Sequence, residues 1–288
     1  FIKQFFPKLK IVARGNQLKL IGEEEVIQQF ELKFDLMLQH FNKYQRLTAS
    51  NIERIIMDDA SVLEGDDDVL LHGTQGRMIK ARTANQRKMV SAIEKNDMLF
   101  AIGPAGTGKT YTAVALAVRS LKNKEVKRII LTRPAVEAGE NLGFLPGDLK
   151  EKLDPYLQPL YDALRDMIPT EKLNEYLEGG VIQIAPLAFM RGRTLDKAFV
   201  ILDEAQNTTT HQMKMFLTRM GMSAKFVITG DETQVDLPPK QPSGLLECLK
   251  ALKGIKGISI IKLDEKDVIR HELVKKIIKA YKDKIENK

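Results

Sequence analysis

Short runs of apolar, mostly β-branched residues recur along most of the chain, and stretches with helical spacing separate them. Runs in which almost every residue is apolar are typical of parallel strands that helices cover on both faces. Strands that alternate with helices in this way indicate an α/β fold with a mostly parallel sheet. The predicted strands are Met98–Ile102, Arg128–Leu131, Val181–Ile184, Phe199–Leu202, Phe226–Thr229 and Ile258–Leu263.

A different pattern occupies the N-terminal part of the chain. Two short strands, Leu9–Ala13 and Gln17–Ile21, flank Gly15-Asn16, a pair that tolerates the positive φ of a tight hairpin turn. The helix that follows has apolar residues three and four positions apart on one face. Residues 1–58 are therefore predicted to form a small α+β module. Its hairpin tip suits contact with RNA, and an exposed turn explains the tip equally well.

Acidic residues concentrate between Asp58 and Asp68, which marks residues 59–74 as a linker. Residues 75–288 then form the larger unit, which holds all six predicted parallel strands. An insertion from Pro134 to Gly180 is rich in Pro and Gly, and we expect its helices and loops to lie above the carboxyl edge of the sheet. Its aromatic residues suit either base stacking or core packing.

Composition and charge narrow the class of protein. Hydrophobic residues make up 43% of the chain, and no apolar run reaches the length of a membrane span, so no membrane association is expected. Its one cysteine excludes an internal disulfide and suits a reducing cytoplasm. The chain begins with Phe1 and shows no secretory signal, so we expect a truncated N-terminus.

The net charge of +7 is concentrated at the C-terminal end, where residues 250–288 hold twelve Lys and Arg against six Asp and Glu. Such an excess suits binding to nucleic acid. A solvated helix face explains the same charges, and charge alone does not separate the two interpretations.

The motif that organises the larger unit is a glycine-rich loop between the first parallel strand and a helix. Its backbone N–H groups and the positive end of the helix would converge on the phosphates of a nucleotide. Lys109 would add a point charge, and the Thr110 hydroxyl would bind Mg²⁺. The alternative is a glycine-rich turn before an ordinary helix. The candidate nucleotide-binding residues of this segment are Gly103, Pro104, Ala105, Gly106, Thr107, Gly108, Lys109, Thr110 and Tyr111.

Two later strands end in polar residues that complete this chemistry. Asp203 follows a buried run and is placed to hold Mg²⁺, while Glu204 is placed to orient the water that attacks the γ-phosphate. Gln234 follows the next strand and is expected to contact the γ-phosphate or its water. Upstream of the loop, the Gln86 amide would read the adenine edge, or Thr83-Ala84-Asn85-Gln86 is simply a helix N-terminus.

Together these segments resemble the PhoH-like ATPases, whose core is similar to superfamily 1 helicases. The resemblance covers about residues 75–285 and implies a RecA-like fold, with Asp203 and Glu204 as the Walker B pair. It also implies an adenine-reading Gln86, a γ-phosphate sensor at Gln234, and nucleic-acid contacts at Thr132 and Arg133. Residues 1–58 resemble the KH-type module of longer members. The segments that carry the resemblance are GPAGTGKT, ILTRPAVEAGENLGFLPGDLKEKLDPYLQPLYDAL, FMRGRTL, VILDEAQNTT and ITGDETQVDLP.

Superfamily 1 helicases carry two RecA-like cores, and an arginine from the second completes the ATP site of the first. This chain has residues for one core, so we expect the missing arginine from a neighbouring copy in a ring, most simply a hexamer. The candidates for this finger are Arg270, Arg191, Arg193 and Arg219.

The leading hypothesis is an Mg²⁺-dependent ATPase that remodels or unwinds single-stranded or structured RNA in RNA or ribosome metabolism. The alternative is a nucleotide-dependent switch or scaffold for an RNA-processing protein partner, without unwinding. A kinase for a small metabolite is disfavoured, because the Asp203-Glu204 pair prepares a water molecule rather than an acceptor hydroxyl.

Overall fold

A computed structural model of the chain describes residues 2–14, 17–44, 52, 55–56, 69–134, 149–238, 240–269 and 273. It divides into two compact units, Phe1–Asp68 and Val69–Lys288. The predicted linker at 59–74 ends too late, because β3 (Val69–His72) already belongs to the second unit. Leu70 and Leu71 of this strand are buried in the core, which fixes the segment there. No helix among these described residues is long and apolar enough to cross a membrane.

The first unit contains an antiparallel hairpin and one long helix. As predicted, two short strands pair here: β1 (Lys10–Arg14) is antiparallel to β2 (Gln17–Ile21), with Arg14 opposite Gln17, and α1 (Glu24–Tyr44) follows. The ring of Phe30 packs edge-on against Phe6 in the small core of the unit. The turn residues Gly15 and Asn16 lie outside the described residues. The likeness of this unit to a KH-type module stays a prediction.

The second unit is built around a six-stranded sheet in the order β10-β5-β9-β8-β6-β7, in which every neighbouring pair is parallel. All six predicted strands are present, which confirms the α/β fold class. A short antiparallel hairpin of β3 with β4 (Met78–Lys80) precedes this sheet in the chain. The sheet strands are β5 (Met98–Ile102), β6 (Arg128–Arg133), β7 (Ile182–Pro186), β8 (Ala198–Leu202), β9 (Lys225–Gly230) and β10 (Ile258–Lys262).

Helices cover both faces of the sheet. Successive strand residues alternate between two cores: Phe199 and Ile201 of β8 point to one face, and Val200 and Leu202 point to the other. The first core is covered by α2 (Ala84–Lys95), α3 (Lys109–Lys122), α4 (Leu149–Met167) and α5 (Thr170–Glu178). The second is covered by α6 (Thr210–Leu217) and α7 (Gly244–Ala251).

The described helices of the insertion, from residue 149 onward, lie differently from our expectation. Helix α4 packs beside α3 against the sheet face, with Leu160 and Leu164 fully buried, rather than above the carboxyl edge. Tyr161 packs against the same core, so the core interpretation of this ring holds. Phe144 lies outside the described residues. Helix α4 packs against the sheet despite its Pro-rich sequence. Burying its apolar face there removes more apolar surface from water than a position above the carboxyl edge would.

The parallel topology determines where a site can form. The carboxyl ends of β5, β6, β8 and β9 meet at one edge of the sheet, since all four strands run in the same direction. Ligands of open α/β sheets bind at this edge. The glycine-rich loop, Arg133, Asp203 and Asp231 each follow or end one of these strands.

Candidate functional site

The glycine-rich loop has the strand-loop-helix context predicted for it. Strand β5 is buried along its whole length, and the N-cap of α3 is Gly108. Gly106 and Gly108 adopt positive φ angles of 85° and 76°, which only glycine enters without strain. The Thr107 hydroxyl donates to the Pro104 carbonyl at 2.8 Å and closes the loop. The result is a tight backbone turn at the N-terminal end of a helix.

Lys109 and Thr110 begin α3 and turn toward the site. The Lys109 ammonium lies inside the loop, where it donates to the carbonyls of Gly103 at 2.6 Å and Pro104 at 2.8 Å. The Thr110 hydroxyl donates to Oδ1 of Asp203 at 2.6 Å. This short contact joins the loop to the end of β8.

Asp203 is almost fully buried, with 3% of its surface exposed. Its Oδ1 accepts a second hydrogen bond of 2.6 Å from the Thr229 hydroxyl on β9. Hydroxyl and carboxylate oxygens are the ligands that Mg²⁺ prefers. The Thr110 and Asp203 oxygens, already in contact, therefore fit the magnesium site predicted from the sequence.

Glu204 is held by a chain of hydrogen bonds that runs back to the loop. Its Oε2 accepts from the Gln206 amide at 2.5 Å, and Gln206 Oε1 accepts from the Asp231 N–H at 3.0 Å. Asp231 Oδ2 in turn accepts from the Ala105 N–H at 3.0 Å. Glu204 itself has a positive φ of 52°, a conformation that non-glycine residues adopt rarely. Gln206 and Asp231 thus connect Glu204 to the phosphate loop.

The sequence interpretation missed Gln206 and Asp231, although both lie in the motifs around Asp203-Glu204 and Gln234. It assigned the role in the second motif to Gln234 instead. That side chain is exposed, and among the described residues the bond recorded for Gln234 is its backbone N–H to the Asp231 carbonyl at 3.2 Å. The residue after β9 that contacts the loop is Asp231, and the γ-phosphate contact of Gln234 stays a prediction.

Arg133 lies at the centre of the site rather than on a nucleic-acid surface. Its Nη2 is 2.9 Å from Oε1 of Glu204, and its Nε is 3.7 Å from Oδ2 of Asp203. Its Nη1 donates to the Tyr156 carbonyl of α4 at 2.7 Å. The side chain of Arg133 is only 20% exposed because its position on β6 points it at the neighbouring strand end.

Thr132 points the other way and is unavailable to nucleic acid. Side chains alternate along β6, so Thr132 faces the core beneath α6 and α7, as Ile130 does. Its hydroxyl is fully buried and, among the described residues, has no hydrogen-bond partner. The nucleic-acid contact implied for Thr132 is therefore wrong, because its side chain is fully buried. The side chain of Arg133 is partly exposed, but in this structure it is turned toward the two carboxylates.

Two of the candidate finger arginines make contacts away from these carboxylates. Arg193 donates to Gln183 Oε1 at 2.6 Å, and Arg219 donates to the Met215 carbonyl at 3.1 Å. Arg191 is exposed, and Arg270 lies outside the described residues. The sequence did not single out Arg133 as the arginine of this site, because its contacts come from segments distant along the chain.

A cleft of about 250 Å³ opens beside the loop. Gln86, which is 3% exposed, donates to the Thr107 carbonyl and accepts from the Arg82 N–H, each at 2.8 Å. These bonds fix the orientation of its amide and leave one hydrogen on Nε2 and one lone pair on Oε1. The walls of the cleft include the basic residues Arg77, Lys80 and Arg82 as well as Leu70, Ile79, Gln86, Gly108, Tyr111 and Ile269.

Tyr111 ties this cleft to α4. Its hydroxyl donates to Oδ2 of Asp166 at 3.1 Å, and the same oxygen pairs with Arg77 of the turn before β4. Burial raises the pKa of Tyr111, and the Asp166 carboxylate raises it further. The phenol therefore stays protonated at neutral pH and keeps donating to Asp166.

A parallel α/β sheet with this loop, lysine and strand-end aspartate defines a P-loop NTPase. The family model described as "PhoH-like protein" matches residues 78–282, and the chain belongs to that family. The PhoH-like protein of Bacillus subtilis (strain 168) is 52% identical over 278 residues, which cover 95% of this chain and 87% of the relative. The PhoH-like protein of Mycobacterium tuberculosis (strain ATCC 25618 / H37Rv) is 50% identical, over 93% of this chain and 78% of the relative.

Protein PhoH of Escherichia coli (strain K12) is 44% identical over 70% of this chain and 58% of its own length. Solved structures that match include the Pif1 helicase from Candida albicans, with 15% identity, 65% of this chain and 40% of that chain covered, and a TM-score of 0.34. The UvsW helicase from bacteriophage T4 matches with 13% identity, 89% of this chain and 100% of that chain covered, and a TM-score of 0.37.

Proposed function

We propose that the protein hydrolyses ATP at the site between the glycine-rich loop and the end of β8, and that it uses this turnover to remodel RNA. The observation that carries the proposal is the 2.6 Å contact between Thr110 and the buried Asp203. It brings a phosphate-binding loop and a metal-binding carboxylate together with Glu204 beside them. This set of groups serves a nucleoside triphosphate and an attacking water.

Each residue has a role that its position supports. The loop amides and the Lys109 ammonium bind the β- and γ-phosphates, while Thr110 and Asp203 hold Mg²⁺. The ion, when bound, neutralises charge that develops on the phosphates. Glu204 orients the attacking water, and the Gln206 bond to its Oε2 keeps the carboxylate from rotating.

The cleft beside the loop suits the base of the nucleotide. It is lined by apolar side chains, by the basic residues Arg77, Lys80 and Arg82, and by the Gln86 amide. The remaining hydrogen and lone pair of this amide match the N7 and N6 edge of adenine. We therefore assign ATP as the substrate. A small-metabolite kinase stays disfavoured, because Glu204 next to Asp203 suits a water nucleophile.

RNA is assigned as the partner from charge and family resemblance. The net charge is +7, and the basic excess lies after residue 250. Phosphate contacts by such residues dominate nucleic-acid affinity. The N-terminal α+β unit, as a KH-like module, would add further RNA contacts. We place the protein in the cytoplasm, where both ATP and RNA are available.

A nucleotide-dependent switch that scaffolds an RNA-processing partner is the second candidate. The hydrogen-bond chain from Glu204 through Gln206 to Asp231 favours it, because it gives the state of the site a path to neighbouring segments. Both candidates are compatible with a hexameric ring whose neighbour contributes Arg270 or one of Arg191, Arg193 and Arg219. Since Arg133 already lies in the site, the ring now rests on the family resemblance.

The test is ATP turnover with and without single-stranded RNA, with the oligomeric state recorded in the same samples. Glu204→Gln should lower kcat by roughly 100-fold or more while ATP still binds, because only the water-orienting carboxylate is lost. Glu232→Gln is the matched control, since its partner is the exposed Lys262. Its turnover should stay within about twofold of wild type.

Stimulation by RNA that disappears in Glu204→Gln supports remodelling. ATP binding with background turnover that RNA does not change supports the switch. Equal turnover in Glu204→Gln and wild type contradicts the assigned site. Full activity of a monomer at high dilution contradicts the ring.

A further inference from the structure

The guanidinium of Arg133 contacts three groups at the carboxyl edge of the sheet. It pairs with Oε1 of Glu204 at 2.9 Å, approaches Oδ2 of Asp203 at 3.7 Å, and donates to the Tyr156 carbonyl at 2.7 Å. Two of these groups are the carboxylates assigned to metal and water. The third belongs to α4, a helix that packs beside the phosphate-loop helix.

The carboxylates of Asp203 and Glu204 place two negative charges at the end of β8, where they are partly shielded from water. Asp203 is 4% exposed as a side chain and Glu204 is 34% exposed, so water screens the first poorly. A single positive charge from Arg133 compensates them. A divalent cation bound by Asp203 and Thr110 would compensate the same charges, so the two cations compete for one site.

At Glu204, Arg133 competes with the attacking water for hydrogen-bond acceptors. Oε2 of Glu204 is taken by the Gln206 amide and its Oε1 by Arg133. The lone pair that Arg133 occupies is therefore not available to orient a water molecule. Movement of the guanidinium would free this position on Oε1 for a water molecule, while Oε2 keeps its bond to Gln206.

We propose that Arg133 is a latch which holds the carboxylate pair in the resting site and is displaced when Mg²⁺ and nucleotide bind. Displacement ends the bond to Tyr156 and so transmits the state of the site to α4. Tyr156 is suited to this, because its carbonyl belongs to α4 and is the acceptor of the 2.7 Å bond from Arg133. The inference rests on the proposed nucleotide site and adds its control by Arg133.

The test compares the affinity of a fluorescent ADP with Mg²⁺ and with EDTA, so that no turnover is needed. The measured quantity is the dissociation constant in EDTA divided by the dissociation constant with Mg²⁺. This ratio isolates the contribution of the metal to ADP binding. In Arg133→Met this ratio should rise roughly tenfold, because Mg²⁺ no longer displaces a cation; this is about 1.4 kcal/mol. Arg133→Lys keeps the charge and should stay within about threefold of wild type.

Arg119→Met is the matched control for removing an arginine. Arg119 lies at the other end of α3 and pairs with Glu94 at 3.0 Å on the surface. The ratio of dissociation constants for Arg119→Met should equal that for wild type. An unchanged ratio in Arg133→Met, or weaker binding of the Mg²⁺ complex, overturns the latch. Failure of wild type to bind ADP at all instead overturns the nucleotide site.

Hydrogen exchange gives a second measurement that does not depend on the variant folding well. In wild type, Mg²⁺ and ADP should speed exchange in peptides covering residues 149–160, since Arg133 then leaves the Tyr156 carbonyl. In Arg133→Met the exchange there should be fast before ligand is added and change little afterwards. Wild-type exchange in these peptides that is unaltered or slowed by Mg²⁺ and ADP overturns the link to α4.

Discussion

Thr229 and Thr132 are a natural pair for testing how the carboxylate site is stabilised. Both are fully buried near the carboxyl ends of strands in the same sheet, and Thr→Val keeps nearly the same shape. The Thr229 hydroxyl donates to Asp203 at 2.6 Å, whereas the Thr132 hydroxyl has no partner among the described residues. The same substitution should therefore have opposite effects at the two positions.

The magnitudes follow from the two environments. A hydrogen bond to a charged group contributes about 1.5–3 kcal/mol, so Thr229→Val should lower the free energy of unfolding by that amount. Replacing an unsatisfied buried hydroxyl by a methyl group removes a desolvation penalty. Thr132→Val should therefore leave stability unchanged or raise it by about 1 kcal/mol.

Urea unfolding followed by circular dichroism measures both variants against wild type. With a slope of roughly 3 kcal/mol/M, a loss of about 2 kcal/mol lowers the midpoint by about 0.7 M for Thr229→Val. The midpoint of Thr132→Val should be equal to or above that of wild type. Thr132→Val as destabilising as Thr229→Val would refute the assignment of the Asp203 hydrogen bond as the stabilising contact.

Two further predictions concern the loop and the cysteine. Gly108→Ala should weaken ATP binding at least tenfold, because its new Cβ would lie 2.7 Å from Nε2 of Gln86. Gly254 has a similar positive φ, but a Cβ there would point into open space. Gly254→Ala should therefore bind ATP normally in the same titration. Burial raises the pKa of the Cys248 thiol to about 11, so iodoacetamide labelling at pH 8 should be roughly 100-fold slower in the native protein than in urea. Equal native and denatured labelling rates would contradict this.

The same cysteine gives stability a pH dependence. A raised native pKa means that between about 9 and 11 the native state keeps a proton that the unfolded state has lost. The contribution of Cys248 is therefore fully present below pH 9 and is lost as pH rises toward 11. Cys248→Ala should lessen the decline of the urea midpoint over this range, and an identical decline in both proteins would contradict the sign.

The strands and the phosphate loop were predictable because their signals are local. A run such as Phe199–Leu202 has to be buried on both faces, and Gly106 and Gly108 have to supply positive φ before a helix. Asp203 and Glu204 were predictable for the same reason, since they end a buried strand. The hairpin in the first unit follows equally from neighbouring residues.

The contacts of Arg133 were not predictable from spacing. Its partners Tyr156 and Glu204 lie 23 and 71 positions away, and the order of strands in the sheet decides that β6 lies beside β8. The same holds for Gln206, whose partner Asp231 follows another strand. The motif resemblance assigned a surface role to Arg133, because a sequence motif specifies the type of a residue but not the direction in which its side chain points.

Helix α4 shows a third kind of limit. The Pro- and Gly-rich insertion that contains it predicted helices and loops above the carboxyl edge of the sheet, but the apolar positions of α4 pack against the core. Leu160 and Leu164 have the spacing of a buried helix face, and this signal outweighs the prolines. The linker ends before Val69 rather than at residue 74 for a similar reason: the burial of β3 decides its place in the second unit, whereas local composition had assigned it to the linker.

The central claim is that the glycine-rich loop binds Mg²⁺-ATP through Lys109. The most direct measurement is a titration of fluorescent ATP into wild type, Lys109→Met and Lys122→Met, the last a lysine at the other end of α3. The account predicts one saturable site per chain in wild type and Lys122→Met, and binding weaker by about 100-fold in Lys109→Met, where the phosphate-binding charge is lost. Absence of saturable binding in wild type, or equal affinity in all three proteins, would contradict it.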